Sequence, residues 1–248
     1  MSSTKIGFFD SGIGGVTVLR ECIKLVSDFS YIYYSDSVNN PYGDKSRDEV
    51  LGIASNIVDY LINKGCGIIV IACNTASAIC VESLRSKYPN IWFIAIEPAV
   101  KCAYDNLEDN TLIMATKGTM DSEKFHNLYD KYHRNNFYLK SCVGLANLIE
   151  QGNTKEIKEY LNENISEYKE KVNSVVLGCT HYPLIKKEIS TILGNVIFYD
   201  GSIGVAKRLK EVIKENNFIS NNKTQILFID SSNDKIKEKR FKNLLDNY

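Results

Sequence analysis

Long apolar runs, paired-cysteine signatures and a surplus of either charge are all missing from this chain. No stretch approaches the roughly 20 consecutive apolar residues that a membrane helix needs, so no membrane partner is expected. The opening MSSTKIGFFDSG has no basic segment followed by an apolar one. It does not read as a secretory signal, and the expected location is the cytoplasm. Lysine plus arginine number 30 and aspartate plus glutamate number 30, so the formal net charge is zero. A partner held mainly by charge, such as nucleic acid, is therefore not expected.

No C-x-x-C occurs among the seven cysteines, which removes the zinc-ribbon and thioredoxin-type readings. Cys66, Cys73 and Cys80 recur every seven residues, which is not a metal-ligand spacing. An odd cysteine count does not suit a disulfide framework. The thiols are expected to be free, and most of them to sit in the core as small hydrophobes.

Short apolar runs alternating with amphipathic segments are what the chain does contain. Strands are expected at Ile6–Phe9, Ser30–Tyr34, Ile68–Ala72, Trp92–Ile96, Thr111–Ala115, Asn136–Leu139, Ser174–Gly178, Val196–Tyr199 and Gln225–Ile229. They are continuous in Ile, Val, Phe and Tyr, as buried parallel strands are. Between them, Asp48–Asn63 carries Val50, Ile53, Ala54, Ile57, Val58 and Leu61 on one stripe. The charged run Lys155–Lys171, with a modest apolar stripe of Ile157, Tyr160, Leu161 and Ile165, reads as a solvated helical surface, and the last stretch as a strand, a turn and a terminal helix that could complete the first sheet. The expected fold is α/β, with doubly wound parallel sheets. In such folds ligands bind beyond the carboxyl ends of the strands.

A faint repeat runs through this pattern. Ile6–Gly12 aligns with Leu112–Gly118 at an offset of 106 positions, and Cys73 aligns with Cys179 at the same offset. A duplication predicts two similar domains related by pseudo-symmetry, each giving one cysteine to the cleft between them. The expected division is residues 1–96 plus 201–248 for one domain, with Cys73, and 97–200 for the other, with Cys179.

The residues just after the strands carry the chemistry. In FFDSGIGGVTV, Asp10, Ser11, Gly12, Gly14 and Gly15 lie between a strand and a helix. Glycines there allow tight turns and close approach to a ligand, and the helix start favours an anion. The dinucleotide fingerprint fails because Thr17 stands where its third glycine belongs. Tyr42 and Gly43 sit in a loop stiffened by Pro41. ACNTAS places Cys73, Asn74 and Thr75 at a helix opening, where a thiol can be activated and polar groups can hold a carboxylate. GCTHYPL places His181 two residues after Cys179, compatible with a nucleophile and its base, or with a histidine that tunes a thiolate. His126 and His133 lie in a polar helical pattern and read as surface residues.

Taken in order and spacing, DSGIGG, PYG, ACNTAS, ATKGT and GCTHYPL resemble the glutamate racemases of the aspartate/glutamate racemase family. The resemblance spans nearly the whole chain. It implies interconversion of the enantiomers of an acidic amino acid without pyridoxal phosphate or metal, hence no cofactor. It implies that Cys73 deprotonates the D-isomer and Cys179 the L-isomer, assisted by Asp10 on the first side and by His181 with Glu150 on the second. Asp10, Ser11, Tyr42, Gly43, Asn74, Thr75, Thr180 and His181 are the implied substrate contacts, with Thr116 and Thr119 nearby. It further implies a role in supplying D-glutamate for bacterial peptidoglycan, and a homodimer as the common assembly. The loop SDSVNNPYG lacks the threonine and arginine that usually precede this proline in the family. An aspartate or broad-specificity racemase is the near alternative; a Cys179–His181 hydrolase and a non-catalytic binding protein are the distant ones.

Overall fold

Strands that are apolar at every position need a packed layer on both faces. The computed structural model describes residues 4–220 and 223–247. Residues 1–3 of the opening segment, and 221, 222 and 248 of the expected first domain, lie outside the described residues. Among the described residues, every expected strand forms: β1 (Lys5–Asp10), β2 (Ser30–Ser35), β3 (Cys66–Ile71), β4 (Trp92–Ala95), β5 (Thr111–Ala115), β6 (Phe137–Ser141), β7 (Ser174–Gly178), β8 (Ile197–Asp200) and β9 (Gln225–Asp230). They build two parallel sheets, ordered β4-β3-β1-β2-β9 and β6-β5-β7-β8.

The two orders answer the question of duplication. Read from its other edge, the second sheet runs β8-β7-β5-β6, which repeats β4-β3-β1-β2. The offset that pairs β1 with β5 and β3 with β7 is therefore topological. The cysteine contexts differ in detail. Cys73 opens a long helix, Asn74–Lys87, whereas Cys179 leads into a short 3-10 turn, Tyr182–Ile185.

Both faces of each sheet are packed. Ile6 and Phe8 of β1 point into one cluster with Tyr31, Tyr33 and Val70, while Phe9 joins Ile69, Ile71 and Leu61 on the other side. In the second sheet Leu112 and Met114 face Leu161 and Ile189, and Ile113 faces Phe125 and Ala103. Each such side chain, fully buried, contributes about 1.5–3 kcal/mol. The helix Arg47–Asn63 starts with a capping box between Ser46 and Glu49 and buries Val50, Ala54, Ile57, Val58 and Leu61 of the expected stripe, with Ile53 partly buried. The charged run is shorter than expected as a helix, Thr154–Ile165, and its stripe of Ile157, Leu161 and Ile165 is core. Its lysines and glutamates face outward. Among the described residues no helix is long and apolar enough to cross a membrane.

The chain leaves the first sheet after β4 and returns to it with β9. The two crossing segments touch at Gly201, where a Cβ would lie 2.5 Å from the Glu97 carbonyl oxygen and 2.7 Å from Ile96. A methyl group there must displace backbone. Gly201→Ala is expected to cost about 1–3 kcal/mol, read as a lower urea midpoint. Gly204→Ala, in the following helix and facing open space, is expected to stabilise by about 0.5–1 kcal/mol.

Candidate active site

Three strand ends converge on one buried cluster. Asp10 ends β1, Cys73 follows β3, and Cys179 follows β7. Asp10 is fully buried, and Cys73 and Cys179 are 5% and 7% exposed. The loop after β1 folds back so that the Gly15 N–H donates to Asp10 Oδ2 at 2.8 Å. The anion at this helix start is thus the chain's own carboxylate. The Thr180 hydroxyl, from the second sheet, reaches both Asp10 oxygens at 3.3 Å. Burial raises the Asp10 pKa, against the opposing pull of His181 and the Gly15 N–H.

The glycines of this loop are explained by space rather than by backbone conformation. None of Gly12, Gly14 and Gly15 has a positive φ. A Cβ on Gly12 would meet Glu150 Oε2 at 2.5 Å, and one on Gly14 would meet the His181 ring at 2.7 Å. The close approach expected of a ligand is made by two side chains of the other sheet's unit.

Around the first thiol, the Ala76 N–H donates to Cys73 Sγ at 3.5 Å, and the thiol donates to Ser11 Oγ at 3.9 Å. The helix cap is the sulfur itself. Burial first, then the Asp10 charge, pushes Cys73 far above the usual thiol range, and the charge of Cys179 adds to this. Cys66, Cys80 and Cys142 are also pushed up, to about 12, chiefly by burial. Among the described residues all seven cysteines are free, and only Cys102 is exposed.

Around the second thiol a line of groups runs inward. His181 Nδ1 lies 3.8 Å from Cys179 Sγ, and His181 Nε2 lies 2.6 Å from Glu150 Oε2. The same Glu150 oxygen accepts the Ile13 N–H at 3.1 Å. Burial alone would lower His181, but its bonds to Cys179 and Glu150 and their negative charges outweigh it and hold the imidazole well above its ordinary value. Burial would likewise raise Glu150, yet His181 and the Ile13 N–H bring it below the usual carboxylate value.

The expected substrate contacts separate into free and engaged groups. Asn74 is buried, and neither its amide nitrogen nor its amide oxygen has a hydrogen-bond partner. Thr75 Oγ1 lies 2.9 Å from Thr116 Oγ1, which also bonds Thr119. The Tyr42 hydroxyl donates to Asp36 Oδ2 at 2.7 Å, and Asn39 holds both Asp36 oxygens. Gly43 packs on Thr116 and borders an open cavity of about 820 Å³ that includes Lys45, Arg47, Lys117 and Lys124. His126 and His133 are exposed and away from the cluster, as their pattern predicts. Among the described residues no group of three or more His, Cys, Asp or Glu side chains is placed to hold a metal ion.

A pair of topologically matched α/β units closed over buried titratable side chains is an enzyme cleft. The pattern of the Asp/Glu/Hydantoin racemase family matches residues 6–207. A glutamate racemase of Clostridium perfringens is 44% identical over 227 residues, covering 89% of this chain and 87% of the relative. The crystal structure of glutamate racemase from Francisella tularensis with D-glutamate superposes with a TM-score of 0.84 at 27% identity, covering 100% of this chain and 95% of that one. That of Escherichia coli glutamate racemase with L-glutamate and the activator UDP-MurNAc-ala gives 0.83 at 25% identity, covering 97% and 96%. The chain belongs to the Asp/Glu/Hydantoin racemase family. Racemases are isomerases, and this chain is an enzyme of that class.

The Glu150–His181 pair has a pH signature. Glu150 is depressed, so its contribution to stability is full above its unfolded value of about 4.3 and is lost as pH falls through the folded value. His181 is raised, so its contribution is full below its unfolded value of about 6.5 and is lost as pH rises through the folded value. Urea midpoints of the intact protein and Glu150→Gln are expected to differ most between about pH 4.3 and 6.5, and to converge on either side.

Proposed function

We propose that the enzyme racemises glutamate by a two-base mechanism in which Cys73 and Cys179 act on opposite faces of the α-carbon. The observation that carries this reading is their matched placement: one cysteine follows β3 and the other follows β7, its topological counterpart. Inversion requires one group to remove the α-proton and another to return a proton from the other side.

The unequal surroundings of the thiols divide the labour. Burial and Asp10 favour the protonated form of Cys73. A cationic His181, secured by Glu150, is the partner that a thiolate at Cys179 needs. This state suits L-glutamate: Cys179 takes the α-proton and Cys73 delivers its own to the opposite face. The thiolate and thiol then stand exchanged, ready for the D-isomer. Asn74 offers a buried donor and acceptor for a substrate carboxylate, and Ser11 and Thr180 border the two sulfurs. The α-proton is weakly acidic, so fixed dipoles in a site closed to water must carry the developing charge. Both cysteines are buried, so entry requires the two units to part. We take 1–96 with 201–248 as one moving unit and 97–200 as the other. D-Glutamate for peptidoglycan, made in the cytoplasm, is the biological role this reading implies.

The Cys179–His181–Glu150 line is also the arrangement of a cysteine hydrolase. The two readings part at Cys73, which a hydrolase does not need. In deuterium oxide without added cofactor, the protein is expected to invert L-glutamate with α-deuterium uptake, and Cys73→Ser and Cys179→Ser each to lose inversion by about 100-fold or more. Cys73→Ser should still exchange the α-proton of L-glutamate, and Cys179→Ser that of D-glutamate. Inversion of aspartate in place of glutamate would change the substrate and keep the mechanism. Full inversion by Cys73→Ser would overturn the two-base reading.

A further inference from the structure

The terminal helix, Lys235–Asn247, packs on the first sheet. Phe241 is buried, with its ring 4.8 Å from that of Tyr33 and 4.1 Å from that of Phe228. Lys237 and Arg240 precede Phe241 by four residues and one, so Lys237 lies on the same helix face and Arg240 beside it. Both reach the other sheet's unit.

Their target is the short helix Leu145–Gln151, which carries Glu150. The last carbonyls of any helix lack partners within it. Arg240 Nη2 donates to the Ile149 carbonyl at 2.7 Å, and Arg240 Nη1 donates to the Glu150 carbonyl. The guanidinium thus caps this helix with its fork and meets the negative end of its dipole. Gly152 follows with φ +77°, and a Cβ there would lie 3.4 Å from Arg240 Nη1. The side chain is addressed as well. Glu150 Oε1 is buried and has no hydrogen-bond partner, and Lys237 Nζ lies 3.8 Å from it.

We propose that Lys237 and Arg240 are positioning residues, by which the terminal helix of the first unit holds Glu150 against His181 in the second. Arg240 fixes the backbone of Glu150, and Lys237 fixes the direction and charge of its free oxygen. The line from the terminal helix to the reacting sulfur is then Lys237, Glu150, His181, Cys179. The contact crosses between the two units, so it exists only when they are closed. Closure and the charge state of the second acid–base group are therefore the same event. The inference rests on the racemase reading for its kinetic readout and not for its titration readout.

The charged and titratable groups facing the pair are Asp10, Cys73 and Cys179 within the cleft, Tyr33 beneath the loop, and Lys237 and Arg240 from the terminal helix. Asp230, at the end of β9, also faces Lys237. Removing one cation makes every group near it easier to protonate. Lys237→Met is therefore expected to move the acid limb of kcat/KM to higher pH by roughly half a unit to one unit. The midpoint of His181 deprotonation should move up in the same variant, followed by nitrogen-15 NMR, with only two other histidines to distinguish. Turnover of L-glutamate should fall about tenfold with little change in KM. Lys237→Arg should restore the limb. Arg240→Ala should lower kcat through misplacement without moving the limb as far. Lys242→Ala, an exposed lysine on the same helix paired with Glu238, is the control and should match the parent protein. A Lys237→Met variant whose acid limb and His181 midpoint both coincide with those of the parent would overturn the proposal. An inactive parent with a shifted His181 midpoint would uphold the positioning role and overturn the racemase reading.

Discussion

The buried contact between Glu150 and His181 is the constraint around which this cleft is built. At 2.6 Å it pairs two charges that burial would otherwise neutralise. Breaking a pair of this kind by removing one partner leaves an uncompensated buried charge, at a cost of about 3–5 kcal/mol. The pair is also one junction of the two units. Glu150 receives an N–H from Ile13, and His181 packs against Gly14, both in the loop after β1. The second sheet's Glu150–His181 pair is thus completed by backbone from the first.

From that junction the rest of the cleft follows. Gly12 and Gly14 have no side chain because Glu150 and His181 fill the volume that a side chain would take. Thr180, next to His181, turns its hydroxyl to Asp10, and Asp10 in turn holds the Gly15 N–H. Two carboxyl groups, an imidazole and two cysteine side chains are thereby packed into one water-poor space. Their charges are felt strongly there, and each group's protonation state depends on its neighbours. The thiols end in unlike surroundings although their strands are alike: Cys73 beside a carboxylate, Cys179 beside a cation-bearing ring.

Much of the architecture was legible in the sequence because burial leaves a periodic trace. Every expected strand is present, two of them with the expected bounds and the others within a residue or two at their ends, since short continuous runs such as IIVI and VVLG suit strands buried on both faces. The offset between Cys73 and Cys179 was legible too, and it matches the repeated strand order. The charged run near residue 160 was less so: its apolar stripe is visible but diluted among lysines and glutamates, so it reads as solvated surface where the structure buries Ile157, Leu161 and Ile165. The loop glycines were read as allowing tight turns and the close approach of a ligand, and the structure brings close to Gly12 and Gly14 side chains more than 130 positions away.

The sequence by itself determined the local elements, the freedom of the thiols and the residue types beyond each strand. These depend on neighbours within a few positions, where propensity, capping and hydrophobic period act. Only the tertiary structure decided which groups meet. Glu150 and Ile13 stand 137 positions apart, and Asp10 and Thr180 stand 170 apart. The reach of Lys237 and Arg240 to Glu150 carries no local signal at all, because a basic helix face reads the same whether it faces water or a carboxylate. Protonation follows contact, not composition, and contact at such range is set by how two packed sheets close on each other.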